Sequence, residues 1–256
     1  LREKESIMDE NKNMSADTMS QEELVLLVFD FAHRLLVHHT LWFREVEHQL
    51  GFKRALRVMD YAWEKTRRNL VQRLSLTCGF TETDGVPDSL RQMPRDQVLA
   101  LLDNLAKSWL AQDGVWFQGV EKAYGMQEAK RCNDSTWAYF SPYEAHAVKK
   151  FLQLPDRPGL DGLEKALAFR LYSRLNHQHL YRRDGALILE MYNCRVQCAR
   201  TRKNMADYPC KSAGLVEYGR FAENIDSRIR TECIACPPDE HPGEWYCAWR
   251  FTLQEE

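Results

Sequence analysis

The stretch Thr231-Glu-Cys-Ile-Ala-Cys-Pro-Pro-Asp-Glu-His241, followed by Trp245-Tyr-Cys-Ala-Trp-Arg-Phe251, decides how the last quarter of the chain folds. Apolar and polar side chains alternate in both parts, which predicts two strands, residues 227–234 and 245–253. The short segment between them predicts a turn that allows the strands to pair antiparallel. The Cys-x-x-Cys pair ahead of two prolines predicts a tight turn that brings two thiols to one point.

The cysteines are concentrated in this part of the chain, with six of the eight after residue 193. Thiolates are soft ligands that suit zinc, and four cysteines close a tetrahedral structural site. The predicted zinc ligands are Cys210, Cys233, Cys236 and Cys247. An iron–sulfur cluster is the less favoured cofactor because the spacing matches neither ferredoxin pattern. The alternative without a metal is a set of buried or redox-active thiols.

Basic residues and a further cysteine accompany this cluster. Cys194 and Cys198 are four residues apart, and the neighbouring arginines would lower a thiol's pKa. The alternative for this pair is one buried and one exposed cysteine. Arg195 and Lys211 are the predicted contacts for a small anionic substrate. Cys194 is added to the predicted ligand contacts because it would lie beside the metal.

Length and composition bound the class of protein. A chain of 256 residues can bury a core, and a net charge of −2 gives no reason to predict binding to nucleic acid or to an anionic membrane. The longest strongly apolar run, residues 24–29, is far shorter than the roughly 20 residues of a membrane span. No basic-then-apolar leader is visible, so we expect a cytoplasmic protein with reduced thiols.

A repeat organises the front of the chain. Shifting the sequence by 74 residues aligns residues 22–64 with residues 96–138 without a gap, with twelve identities in 43 positions. Each copy has helical spacing of its apolar residues and a glycine, Gly51 or Gly125, where one helix ends. The repeat predicts two copies of one helical hairpin, with Trp42 facing Trp116 or both lining one core.

The fold class that follows is α+β. A helical N-terminal region of two repeated helical hairpins is followed by a small domain with an antiparallel sheet. The predicted boundaries are a disordered tail at residues 1–20, a helical region at residues 21–182 and a cysteine-rich α+β domain at residues 183–256. Within the helical region, residues 141–142 predict the start of a new helix, and another helix is predicted from residue 163 to about residue 179.

Charged residues of the repeat have two interpretations. Glu45-Val-Glu-His48 has the Glu-x-x-His spacing of di-iron bundles, but the second copy reads Gly119-Val-Glu-Lys122 and lacks the histidine. The favoured interpretation is an ion pair inside each hairpin, Glu47 with Arg57 and Glu121 with Arg131, because both members recur.

The cysteine-containing runs and the Trp-Phe-x-x-Val-Glu repeats resemble an uncharacterised family of bacterial and archaeal cytosolic proteins. The Glu232-Cys233 pair, Gly243 and the run from Cys247 to Phe251 are also distantly similar to vinyl-reductase-type ligand-binding domains and aminothiazoline-carboxylate hydrolase-like proteins. That distant resemblance implies a small α+β domain with an apolar pocket and, in some relatives, zinc held by cysteines. Glu232 is included among the predicted ligand contacts.

Two functions from different classes remain open at the level of sequence. The first is a zinc protein with a small-molecule pocket that acts as an enzyme on a small anionic substrate. The second is a non-catalytic binding or sensing module, in which a metal or buried thiols only hold the pocket walls. Three cysteines and a water on the zinc would favour the enzyme, and a closed shell of four cysteines would favour the module.

Overall fold

The computed structural model describes residues 15–202, 204 and 207–254. The chain divides into two compact units, residues 1–87 and residues 88–256. The predicted boundary at residue 183 falls inside the second unit. The first 14 residues of the predicted tail lie outside the described residues.

The first unit is a helical hairpin. Helix α1, Gln21–Leu50, begins at Ser20, whose hydroxyl accepts the Glu23 N–H while the Glu23 carboxylate accepts the Ser20 N–H at 2.8 Å. This capping box satisfies donors that the first helical turn would otherwise leave unpaired. Gly51, with a positive φ of 81°, ends α1, and helix α2 follows at Phe52–Cys78. The predicted start of the helical region at residue 21 and the predicted helix end at Gly51 are confirmed.

A short strand pair closes the first unit. Strands β1, Glu82–Thr83, and β2, Val86–Pro87, pair antiparallel in a segment that the sequence predicts to be a loop. By length and composition alone α1 is a candidate membrane span, and both core helices of soluble proteins and signal sequences pass the same test. The absence of a membrane partner therefore stays a prediction.

The second unit begins with the same hairpin. After the short helix α3, Asp88–Arg91, helices α4 and α5 span Arg95–Tyr124 and Met126–Phe151, with Gly125 at a φ of 92° between them. Both ends of α4 are shifted by 74 residues from those of α1. The prediction of two repeated helical hairpins is confirmed.

Two details predicted from the repeat have different outcomes. Trp42 and Trp116 are 61% and 70% exposed and belong to different compact units, so neither lies in a core, and the alternative that they face each other stays a prediction. The predicted ion pairs are wrong. Among the described residues, no Glu47–Arg57 or Glu121–Arg131 ion pair occurs, and Arg131 instead pairs with Glu128 one turn away. Exposed charges on a helix pair with near neighbours at three or four residues, so recurrence of two charges in a repeat does not require that they meet.

The rest of the second unit consists of a four-stranded sheet and the helices that pack against it. Its elements are α6 (Gly159–Leu167), β3 (His177–Arg183), β4 (Ala186–Asn193), α7 (Arg195–Thr201), α8 (Lys211–Ile225), β5 (Ile229–Ala235) and β6 (Cys247–Leu253). The strands form one antiparallel sheet in the order β3-β4-β6-β5. Helix α8 packs against both α5 and β5. The predicted α+β class is confirmed.

Two local predictions are corrected by this part of the chain. Helix α5 continues through Pro142, which is buried, so no new helix starts there. The helix predicted from residue 163 to about residue 179 is wrong beyond Leu167, where α6 ends; a short 3-10 helix follows at Leu171–Arg174, and β3 starts at His177. The polar sequence of β3 conceals the strand, but Asp184-Gly185, with positive φ values of 50° and 74°, is a signal of a tight hairpin turn.

One face of the sheet carries the core. Alternate residues of β6, Cys247, Trp249 and Phe251, are buried, and the last two are at most 1% exposed. Their cross-strand neighbours on β4 and β5 lie on the same face, which includes Met191 opposite Cys247 and Cys233 opposite Trp249. This arrangement brings two predicted site cysteines, Cys233 and Cys247, to the side of the sheet that carries the core.

Candidate functional site

The second unit contains a cavity of about 700 Å³. Its wall comes from α4, α5, α7, α8 and the buried face of the sheet, so it is formed entirely within one compact unit. Six aromatic side chains line it: Phe117, Trp137, Tyr172, Tyr208, Tyr218 and Trp249. A concave, mostly apolar site with a few polar groups is the usual form of a small-molecule site.

The aromatic wall is held rigidly. Trp137 is 4% exposed and stacks on Tyr172 at a centroid distance of 5.8 Å. Trp249 is fully buried, and its ring lies 4.8 Å from that of Tyr218. The ring edge of Trp249 lies so close to Gly214 of α8 that a Cβ there would be 2.6 Å from a ring carbon. Because no side chain fits between the helix and the ring, Gly214 fixes where Trp249 sits.

Four cysteines line the same cavity: Cys194, Cys210, Cys236 and Cys247. The Sγ atoms of Cys210 and Cys236 are 3.4 Å apart, and Cys247 is a second hydrogen-bond partner of Cys236. The hydrogen bond with Cys236 is the main reason that the pKa of Cys210 is lowered and that the pKa of Cys236 is raised. Between these two thiols, loss of a proton is therefore favoured at Cys210 over Cys236.

A buried glutamine holds the Cys210 segment in place. Gln197 is 1% exposed, and its amide donates to the Tyr208 carbonyl at 2.9 Å and to Cys210 Sγ at 3.5 Å. Its own carbonyl accepts the Tyr208 N–H at 2.8 Å. Helix α7, which carries Gln197, thus sets the position of Cys210 at the start of α8.

The predicted tight turn after Cys236 is hydrogen-bonded to the start of α8. The Cys236 carbonyl accepts the Asp239 N–H at 2.9 Å, and the Lys211 N–H donates to the Pro237 carbonyl at 2.9 Å. The Lys211 ammonium lies 2.8 Å from the Asp239 carboxylate. These bonds fasten the turn between β5 and β6 to α8 and place Cys236 beside Cys210.

The other predicted ligand contacts divide into two groups. Cys194 and Arg195 line the cavity, whereas Lys211 and Glu232 lie outside its described wall. Cys194 is not an activated thiol, since burial raises its pKa to about 12. Cys233, the fourth predicted zinc ligand, lies outside the wall as well, and burial raises its pKa to about 11.

The fit of these thiols to zinc is partial. Two sulfurs bound to one tetrahedral zinc at about 2.3 Å lie about 3.8 Å apart, close to the 3.4 Å of the Cys210–Cys236 pair. Within the described ranges, however, no three His, Cys, Asp or Glu side chains are arranged to hold a metal ion. The pair has suitable chemistry and spacing, and a third ligand is not in place.

A buried ion network lies behind the cavity. The Arg170 guanidinium, 2% exposed, lies 2.8 Å from a Glu144 oxygen and 2.7 Å from a Glu217 oxygen. Glu217 also lines the cavity. Burial raises the pKa of Glu217 to about 7, an effect that the attraction of Arg170 only partly offsets. Glu217 is therefore a cavity group that exchanges a proton near neutral pH.

We expect Glu217→Gln to change the pH dependence of stability. A carboxyl whose folded-state pKa is raised contributes stability that is present at low pH and is lost as pH rises through the folded value. Between about pH 5.5 and pH 7.5 the wild type should therefore lose roughly 2 kcal/mol relative to the variant. Urea unfolding of both proteins measures the difference, with the exposed Glu223→Gln of the same helix as control. A constant difference between the proteins would contradict the prediction.

The sequence does not reveal most of the polar wall. Gln197, Tyr208, Glu217 and Trp249 are ordinary residues of predicted helices, loops and strands, and their meeting depends on how α7 and α8 pack. One usable signal was present for Trp249, which is two residues after Cys247 and so lies on the same face of β6.

The comparisons with known proteins identify a family and no function. A model of a family of unknown function (DUF6125) matches residues 17–93 and 91–253. The two matched segments each contain one copy of the helical hairpin. Neither the curated proteins nor the solved structures include a match.

Proposed function

Because this chain belongs to that family of unknown function, we propose its function from the cavity: the protein binds a small anionic molecule in the second unit. The observation that carries the proposal is an aromatic cavity of about 700 Å³ with basic groups on its wall. The distant resemblance to vinyl-reductase-type ligand-binding domains, which implies an apolar pocket, remains a prediction.

The charge of the wall favours an anion. Among the described residues, five basic side chains line the cavity against three acidic ones. The basic residues are Lys107, Lys122, Arg195, Arg200 and Arg202, and all but Arg200 are exposed. Burial raises the pKa of Glu217, one of the three acids, to about 7, so its negative charge is incomplete near neutral pH. An anionic group is therefore attracted to the exposed edge of the cavity and an apolar body to its aromatic interior.

A variant that fills the cavity tests this proposal. Ala111 lines the cavity at an exposed position of α4, whereas its exposed neighbour Gln112 does not. A thermal-shift panel of aromatic and aliphatic carboxylates, sulfonates and phosphates should contain compounds that stabilise the wild type and Gln112→Trp. A ligand at about 100 times its Kd adds about 2.7 kcal/mol.

The same compounds should not stabilise Ala111→Trp. If no compound distinguishes the two tryptophan variants, the cavity is not a ligand site. An NMR spectrum of the ligand after incubation then separates binding from turnover, because an unchanged spectrum indicates a binding module and new signals indicate an enzyme.

The second candidate function is zinc binding at the cavity wall, favoured by the Cys210–Cys236 distance of 3.4 Å. Cys210, Cys236 and Cys247 would hold the ion, with Cys233 or Cys194 as the remaining thiol. Bound zinc would supply a Lewis acid, or a purely structural crosslink if four thiolates close its shell.

We expect about one zinc ion per chain, measured by elemental analysis after purification in zinc-containing medium. Cys236→Ser should lose most of this metal, whereas Cys132→Ser, an exposed cysteine of α5, should keep it. A strong chelator should lower the melting temperature of the wild type, because metal affinity adds to the free energy of folding. A metal-free wild type would exclude the zinc proposal.

A further inference from the structure

We propose that the molecule bound in the cavity is a flat aromatic anion whose ring system carries a hydrogen-bond acceptor for the Trp249 indole. The inference rests on the proposed function and specifies its ligand. It depends on an unpaired polar atom in the cavity wall, on the aromatic lining and on the position of the basic side chains.

The unpaired atom is the indole nitrogen of Trp249. Its side chain is fully buried, and within the described part of the chain Nε1 has no hydrogen-bond partner. A buried donor without an acceptor is costly, and buried indole N–H groups usually find a partner. Trp249 lines the cavity, and Gly214 and Tyr218 pack against its ring. We infer that the acceptor for Nε1 is a group of the bound ligand.

A second polar atom supports the same conclusion. The Tyr208 hydroxyl is buried and, within the described residues, also has no hydrogen-bond partner. Tyr208 belongs to the cavity wall, and its ring packs edge-on against Phe117 at a centroid distance of 5.4 Å. In a mostly apolar site, a small number of polar groups orients the ligand through hydrogen bonds, and these two groups fit that role.

The shape of the ligand follows from the rest of the wall. Six aromatic side chains favour a flat ring system, since offset or edge-on contacts between rings are favourable. The exposed basic residues favour an anionic group at the edge of the cavity. The acceptor and the anion therefore belong at opposite ends of the ring system.

Two matched probes test this inference. Quinoline-6-carboxylate carries a ring nitrogen acceptor away from its carboxylate, and naphthalene-2-carboxylate has the same shape without the acceptor. We expect the wild type to bind the quinoline acid about tenfold more tightly, as measured by isothermal titration calorimetry. Trp249→Phe keeps an aromatic ring but removes the donor, so it should bind the two acids equally. Quinoline without the carboxylate should bind at least about tenfold more weakly than its acid.

The outcomes separate this inference from the proposed function. If both acids bind the wild type and neither binds Ala111→Trp, the cavity is a ligand site. Equal affinity of the two acids for the wild type, or a preference that survives Trp249→Phe, would then overturn the inference alone. If neither acid binds at the cavity, this inference is wrong, and the proposed binding of anions in the cavity does not hold for aromatic anions.

An NMR measurement covers the case in which Trp249→Phe does not fold. The indole N–H signal of Trp249 in the wild type should shift downfield with quinoline-6-carboxylate and remain nearly unchanged with naphthalene-2-carboxylate. The signals of the exposed Trp42 and Trp116 serve as controls. A Trp249 signal that responds equally to the two acids contradicts the hydrogen bond.

Discussion

Replacing Arg170 by leucine should lower the free energy of unfolding of the second unit by about 3–5 kcal/mol. The guanidinium lies between the buried carboxylates of Glu144 and Glu217 and above the ring of Phe221, 4.7 Å from its centroid. Removing the cation leaves two buried acids without a counter-charge, and one must take up a proton. Urea unfolding at neutral pH, followed by tryptophan fluorescence, measures the loss.

An exposed arginine of the same region provides the matched control. Arg174 pairs with Asp103, but its side chain is 41% exposed, so Arg174→Leu should cost less than about 1 kcal/mol. Equal effects of the two substitutions would show that the Arg170 network is solvated. As pH falls below about 7 the loss in Arg170→Leu should shrink, because protonated Glu217 no longer needs the cation.

A methyl group at Gly214 should lower the free energy of unfolding by about 3 kcal/mol and displace the cavity wall. The new Cβ would lie 2.6 Å from a ring carbon of Trp249, which is fully buried and packs against Tyr218. Neither the helix nor the ring can move without disturbing the core. Chemical denaturation of Gly214→Ala measures the cost, and the shape of the cavity should change with it.

Gly219 of the same helix gives the opposite expectation. No atom lies within 4 Å of a Cβ built there, so alanine meets no obstacle. Gly219→Ala should therefore raise the free energy of unfolding by about 0.5–1 kcal/mol, because alanine restricts the unfolded chain and favours a helix. A destabilised Gly219→Ala together with an unaffected Gly214→Ala would contradict the packing described for α8.

The sequence was sufficient to predict the helical hairpins because their signals are local. Apolar spacing and a glycine at positive φ each act within one or two turns, and the 74-residue repeat shows both of them twice. The ion pairs expected from the repeat failed for the opposite reason. A side-chain pair depends on the neighbours of each copy, and Arg131 finds Glu128 closer than Glu121.

The four strands differ in how well alternating apolar and polar residues predict them. Strands β5 and β6 alternate apolar and polar residues, which predicts them from sequence, whereas the edge strand β3 is polar and begins in a segment that the sequence predicts to be helical. The Asp184-Gly185 turn is the sequence signal that β3 pairs antiparallel with β4.

The candidate site was predicted only in part. Cysteine spacing pointed to Cys210, Cys236 and Cys247, which line one cavity. The aromatic and polar wall was missed because it depends on the packing of α7 and α8 over the sheet, and no local pattern encodes that arrangement. The unpaired indole of Trp249 has no sequence signal at all, since it is defined by what surrounds it.

The measurement that tests the ligand cavity most directly is an NMR contact between a bound anion and the cavity wall. Met191 lines the cavity, whereas Met126 lies at the start of α5 and does not. With methyl-labelled methionine and naphthalene-2-carboxylate, we predict nuclear Overhauser contacts from the ligand protons to the Met191 methyl group and none to Met126. Contacts only to methionines outside the cavity, or binding that persists in Ala111→Trp, would contradict a ligand site in the second unit.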